Sequence, residues 1–114
     1  MKTAAILVLS TFIFILSGCG CKNESPSVIL KNSGSAKASI QIKTSNGNTE
    51  NINNVDPGWQ SEERTFAAGS IEFTVTIQGV AEPVVYALTV DDCADYVVSI
   101  NPDNTVTSSS DERD

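Results

Sequence analysis

Gly69-Ser70-Ile71-Glu72-Phe73-Thr74-Val75-Thr76-Ile77-Gln78-Gly79 is the stretch that decides how this chain folds. Ile71, Phe73, Val75 and Ile77 alternate with Glu72, Thr74, Thr76 and Gln78. Side chains of an extended backbone point to opposite faces in turn, so the run carries one apolar and one polar face. It predicts a strand of an antiparallel sheet, with one face on a core and the other in water.

The same period continues outward along the chain. Ala38, Ile40 and Ile42 alternate with Ser39, Gln41 and Lys43, and Val84, Tyr86, Leu88 and Val90 alternate with smaller residues. Tyr96, Val98 and Ile100 form another such set, while Val28 to Leu30, Thr49 to Val55 and Glu63 to Phe66 give fainter ones. Turn signals separate them. Asn32-Ser33-Gly34 follows the first strand, and Asn46-Gly47 predicts a type I′ hairpin turn, whose two central residues need positive φ. Asp56-Pro57-Gly58 suits a turn with proline at its second position. The expected fold is all-β: a single antiparallel β-sandwich of about six to eight short strands, spanning residues 28–104. The Ser-rich, acidic residues 105–114 hold little apolar surface and predict a disordered tail.

The chain opens differently. Lys2 precedes an apolar run from Ala4 to Leu16, which ends in Leu16-Ser17-Gly18-Cys19. A charged start, a short apolar core and small residues before a cut site describe an export signal with a helical core. At ~1.5 Å per residue the run reaches roughly 20 Å, short of the ~30 Å hydrocarbon layer. Leu-Ser-Gly-Cys resembles the bacterial lipobox. The resemblance implies a signal peptide over residues 1–18, cleavage before Cys19, diacylation of the Cys19 thiol and a lipidated tether over residues 19–27. A protein so anchored sits on a membrane without crossing it, because two or more acyl chains hold where one does not. Gly20 stands where enteric lipoproteins retained at the inner membrane carry Asp, which implies the outer membrane.

Without residues 1–18 the chain keeps Lys22, Lys31, Lys37, Lys43, Arg64 and Arg113 against all fourteen acidic residues. Such a surface repels nucleic acid and anionic lipid, so a partner steered by charge is cationic. Cys21 and Cys93 remain in an oxidising compartment once Cys19 carries lipid. They can pair with each other, stay as thiols, or leave Cys21 to pair between molecules. A bond between them closes a loop of about 70 residues, worth roughly 4 kcal/mol in the chain-entropy account.

The chain holds no histidine, and Met1 is its one methionine. That removes the Ser-His-Asp triad, the Cys-His dyad and the usual zinc and copper sites. No glycine-rich phosphate loop is present and no pattern calls for a cofactor. Asp91, Asp92 and Asp95 supply hard oxygen ligands of the kind calcium takes, but their spacing matches no calcium loop; a solvated turn is the plainer reading. The expectation is therefore a protein that is not an enzyme.

Trp59, the single tryptophan, follows Pro57-Gly58 in a loop. It either folds back over the core or stands exposed as an anchor for a partner or a sugar. Ser33-Gly34-Ser35-Ala36-Lys37 resembles the Ser-Gly-x-x-Ala-Lys loop of bacterial lysozyme-inhibitor lipoproteins, where a serine and a lysine enter the enzyme cleft; the resemblance marks Ser33 and Lys37. Asp92-Cys93-Ala94-Asp95-Tyr96 resembles the Asp-x-Ala-x-Tyr stretch of immunoglobulin-type domains, in which the tyrosine hydroxyl bonds back to the chain. Residues 69–104 are similar to PEGA-like and transthyretin-like surface modules. These resemblances imply a sandwich displayed at the envelope, binding an envelope or extracellular protein. The alternative they leave is an inhibitor of a cationic enzyme such as a lysozyme.

Overall fold

A computed structural model describes residues 21–113; the signal segment and Cys19 lie outside them. The alternating runs become eight strands, β1 Ser27–Asn32, β2 Ala38–Lys43, β3 Thr49–Val55, β4 Arg64–Thr65, β5 Gly69–Ile77, β6 Val84–Val90, β7 Ala94–Ile100 and β8 Val106–Glu112. No helix occurs among the described residues. The strands form two four-stranded sheets, ordered β4-β1-β7-β8 and β3-β2-β5-β6. This is consistent with a β-sandwich. All pairings are antiparallel except β1 with β7, which run parallel from Ser27↔Asp95 to Asn32↔Ile100.

The period of two translates directly into burial. Ile71, Phe73, Val75 and Ile77 of β5 are buried, together with Ile40 and Ile42 of β2, Val28 and Leu30 of β1, and Tyr96, Val98 and Ile100 of β7. They form one apolar cluster, closed by Phe66, Val55 and Val106. Glu72, Thr76, Gln41 and Lys43 face outward.

Three local expectations are corrected. Residues 106–112 are strand β8, not a disordered tail, and pair with β7 over seven register positions from Ala94↔Glu112 to Ile100↔Val106. Only Val106 of β8 is buried, so apolar content does not make this strand. Its backbone covers the edge of the apolar strand β7, and side chains tie it in: the Ser108 hydroxyl shares a 2.7 Å hydrogen bond with Tyr86 Oη. The turn after β2 is not type I′, because Gly47 has positive φ (90°) and Asn46 does not. Gly47 N–H donates to Thr44 O, and Thr44 N–H donates to Asn48 O. That is a type I turn followed by a left-handed glycine, the three-residue hairpin loop. By contrast Asp56-Pro57-Gly58-Trp59 is the turn expected, with Trp59 N–H donating to Asp56 O and Gly58 at φ 85°.

Residues 19–27 also depart from expectation. The described part of this expected tether is fastened to the domain. Cys21 and Cys93 form a disulfide with Cα atoms 5.8 Å apart. Cys93 N–H donates to Glu24 O. Arg113 reaches across with Nε to Asp95 (3.0 Å), with one terminal nitrogen to Glu24 (3.0 Å), and with the other to the Ser25 carbonyl (2.8 Å). Pro26 and Ser27 are buried, and the Ser27 hydroxyl donates to Asp95 at 2.6 Å.

Candidate partner-binding site

Register and chain direction sort the connections between two ends. The turns 44–48 and 91–93 lie at the end that holds the Cys21–Cys93 bond, because Ser27, Ala94, Lys43 and Val90 are the strand ends there. Loops 33–37, 78–83 and 101–105 lie at the other, where Asn32, Ala38, Ile77 and Ile100 end or begin strands. Loop 56–63 starts at that far end and runs back beside β1, with Gln60 bridged to Lys31.

Asn32 organises this end. It is the last residue of β1 and is 1% exposed. Its side-chain Nδ2 donates to the carbonyls of Ala36 (2.8 Å) and Val55 (2.9 Å), and its Oδ1 accepts from Gly34 N–H (2.9 Å). Its backbone N–H donates to Trp59 O (2.9 Å), and its carbonyl accepts from Gly58 N–H (2.7 Å). Asn32 thus joins β3 and loop 33–37 through its carboxamide, and the Trp59 turn through its backbone. A buried amide with every group paired fixes one arrangement, since any other leaves polar groups unsatisfied.

Trp59 is the result. Both its backbone groups are bonded, yet its side chain is 68% exposed. The tryptophan therefore does not cap the core; Phe66 does. Beside the indole lies an open cleft of about 280 Å³ lined by Ile52, Asn54, Trp59, Glu62 and Arg64 among others. β3 is irregular where it borders this cleft. The register slips between Ala38 and Ile40, and Asn54 sits at φ 59°, with its N–H donating to Ser39 Oγ. Bulges of this kind bend a strand end and re-aim its side chains. A cleft of similar size at the opposite end, lined by Ser25, Thr44, Asn46, Glu50 and Phe66, has no exposed aromatic.

The other sequence-derived candidates divide. Lys37 shares the Trp59 end, its ammonium 3.6 Å from Asp56, and Ser33 is exposed beside it with its N–H donating to Ile100 O. Asp91, Asp92 and Asp95 sit at the opposite end. The Asp95 carboxylate is taken by Ser27 and Arg113, and among the described residues no group of acidic or cysteine side chains is arranged to hold a metal ion. Tyr96 Oη accepts from Asp91 N–H at 2.9 Å, the corner bond that the Asp-x-Ala-x-Tyr resemblance implies. Asn32 is the residue that sequence reading missed. Its visible signal is an asparagine closing an apolar strand before Ser-Gly, and that reads first as a turn.

No family profile matches this chain, and comparison with curated proteins finds no match.

Proposed function

We propose that this chain is a bacterial envelope lipoprotein, lipidated at Cys19 and held at the outer membrane, whose domain is a non-catalytic protein-binding module. The observation that carries the binding role is Trp59, a large apolar side chain left in water on a backbone held from both sides. Rigid exposed aromatics lose little entropy on docking and dominate interface energetics.

The anchoring role rests on Leu16-Ser17-Gly18-Cys19, and the disulfide gives it a geometric consequence. Only Gly20 separates Cys19 from Cys21, and two residues of chain span at most about 7 Å. A lipid on Cys19 then seats the Cys21–Cys93 end directly on the membrane, with Trp59 and Lys37 at the end pointing away. The domain itself is read as transthyretin-like. Immunoglobulin constant domains keep their first and second strands in one sheet, whereas β1 and β2 lie in different sheets here. The enzyme-inhibitor alternative would use the same end, through loop 33–37 or Trp59; there the exposed Lys37 makes a surface ion pair with Asp56.

The test is capture from intact cells with lipidated protein as bait, alongside Cys19→Ala and Trp59→Ala forms. Incorporation of labelled palmitate that disappears in Cys19→Ala, and one protein captured by the parent and lost in Trp59→Ala, are the expected results. Unchanged capture by Trp59→Ala, or palmitate retained in Cys19→Ala, would sink the proposal.

A further inference from the structure

The four sheet edges are not alike. β4 is two residues long. β3 carries Glu50 and the irregularity at Asn54, and β8 ends in Asp111 and Glu112. Shortness, bulges and charges are the devices by which proteins keep a sheet edge from recruiting another strand. β6 has none of them. Val84-Val85-Tyr86-Ala87-Leu88-Thr89-Val90 contains no charge, glycine or proline, and pairs with β5 in unbroken register from Val75↔Val84 to Gly69↔Val90. Among the described residues it pairs with β5 alone, so its other edge is open. Val84, Tyr86 and Leu88 on its inner face are half-buried against the core, and Val85 on its outer face is 59% exposed.

The charges at its ends say what fits. Exposed Glu82 lies just before β6, and exposed Asp91 and Asp92 lie just after it. A second copy of this chain is a poor match. Antiparallel self-pairing centred on Ala87 would bring Glu82 of each copy towards Asp92 of the other, two like-charge encounters between molecules that already repel.

We propose that the open edge of β6 takes up an extended segment of a partner protein as an added strand: uncharged and β-forming in its middle, apolar at alternate positions, with a Lys or Arg at each end. Main-chain hydrogen bonds supply the pairing, as in other strand-addition complexes. The alternate apolar side chains complete the half-buried row of Val84, Tyr86 and Leu88, and the terminal cations meet Glu82 and Asp91–Asp92. This edge lies across the sheet from β3 and the Trp59 cleft, so the proposal stands apart from the role given to Trp59.

The probe is a capped peptide, Lys-Val-Thr-Val-Thr-Val-Lys, added to the full chain in detergent, with binding read by amide exchange and peptide anisotropy. Slowed exchange within residues 84–90 is expected, unchanged in Trp59→Ala. Exchanging both lysines for glutamate should weaken binding by about tenfold, and added salt should narrow that gap. N-methyl groups on one alternate set of peptide residues should abolish binding, and on the other set should leave it intact, because a strand pairs through one edge at a time. Equal loss from both sets, or protection confined to other strands, would overturn the proposal. So would peptide-independent protection of β6 that grows with protein concentration, the mark of a second copy in its place.

Discussion

Asn32→Ala tests the organisation of the Trp59 end most sharply. The substitution removes two donated hydrogen bonds and one accepted one, taking the Asn32 partner from Val55 O, Ala36 O and Gly34 N–H. The bond to Val55 O is fully buried; the other two are partly buried, where water recovers some of the loss. With about 1–3 kcal/mol for the buried carbonyl and about 1 kcal/mol for each of the others, the sum is about 3–5 kcal/mol. In a domain of this size that lowers Tm by about 15–30 °C. Asn32→Asp separates hydrogen bonding from volume. It keeps the shape but turns an acceptor towards the two carbonyls, which raises the folded-state pKa of the new carboxyl above its unfolded value. The aspartate variant should then be closest to the parent in acid and lose stability as pH rises through the raised folded value. Thermal unfolding at pH 4 and pH 7, followed by Trp59 fluorescence, measures both. An Asn32→Ala loss under about 1 kcal/mol, well below the usual cost of an orphaned buried polar group, would refute this account of Asn32. So would an Asn32→Asp variant as stable as the parent at pH 7.

Further expectations follow from other parts of the fold. Gly69→Ala should destabilise by about 2–4 kcal/mol, because φ is 132° and a Cβ there would lie 2.8 Å from Ser45 Cβ; denaturant unfolding of the variant checks it. Cys21→Ser with Cys93→Ser should cost about 4 kcal/mol by releasing a loop between residues 72 apart, seen as a lower Tm that reductant no longer affects. The Thr105 hydroxyl and N–H donate to Asp103 and hold its carboxyl below the ordinary aspartate range. A depressed folded pKa means that its contribution is present above the unfolded value and disappears as pH falls through the lower folded one. Carboxyl NMR titration should show that low midpoint, and Thr105→Val should move it upward.

The sheets were largely legible in the sequence because alternation and burial are the same fact seen twice. Phe73 reads as core from its neighbours Glu72 and Thr74 alone, and it is fully buried. β8 was not legible. Its residues carry almost no apolar signal, and what orders them is the edge of β7, the preceding strand, whose backbone pairing leaves no mark on their composition. Asn46-Gly47 misled for a related reason. The pair suits two turn geometries, and the hydrogen bonds of Thr44 Oγ1 to Asn46 and Asn48 select between them. The candidate site was half visible. Trp59 and Lys37 stand out as residue types, but their placement at one end rests on the bonds of Asn32 to Ala36, Val55, Gly58 and Trp59 and on the Lys37–Asp56 pair, which no local pattern reveals.

In the proposed arrangement the domain is held to the membrane by its disulfide end and presents Trp59 away from it. A photo-crosslinking residue placed at Asp92 or at Trp59 in living cells tests both halves at once. Crosslinks to lipid are expected from position 92, and to a single protein, never to lipid, from position 59. Lipid crosslinks from position 59, or an absence of lipid crosslinks from position 92, would contradict it.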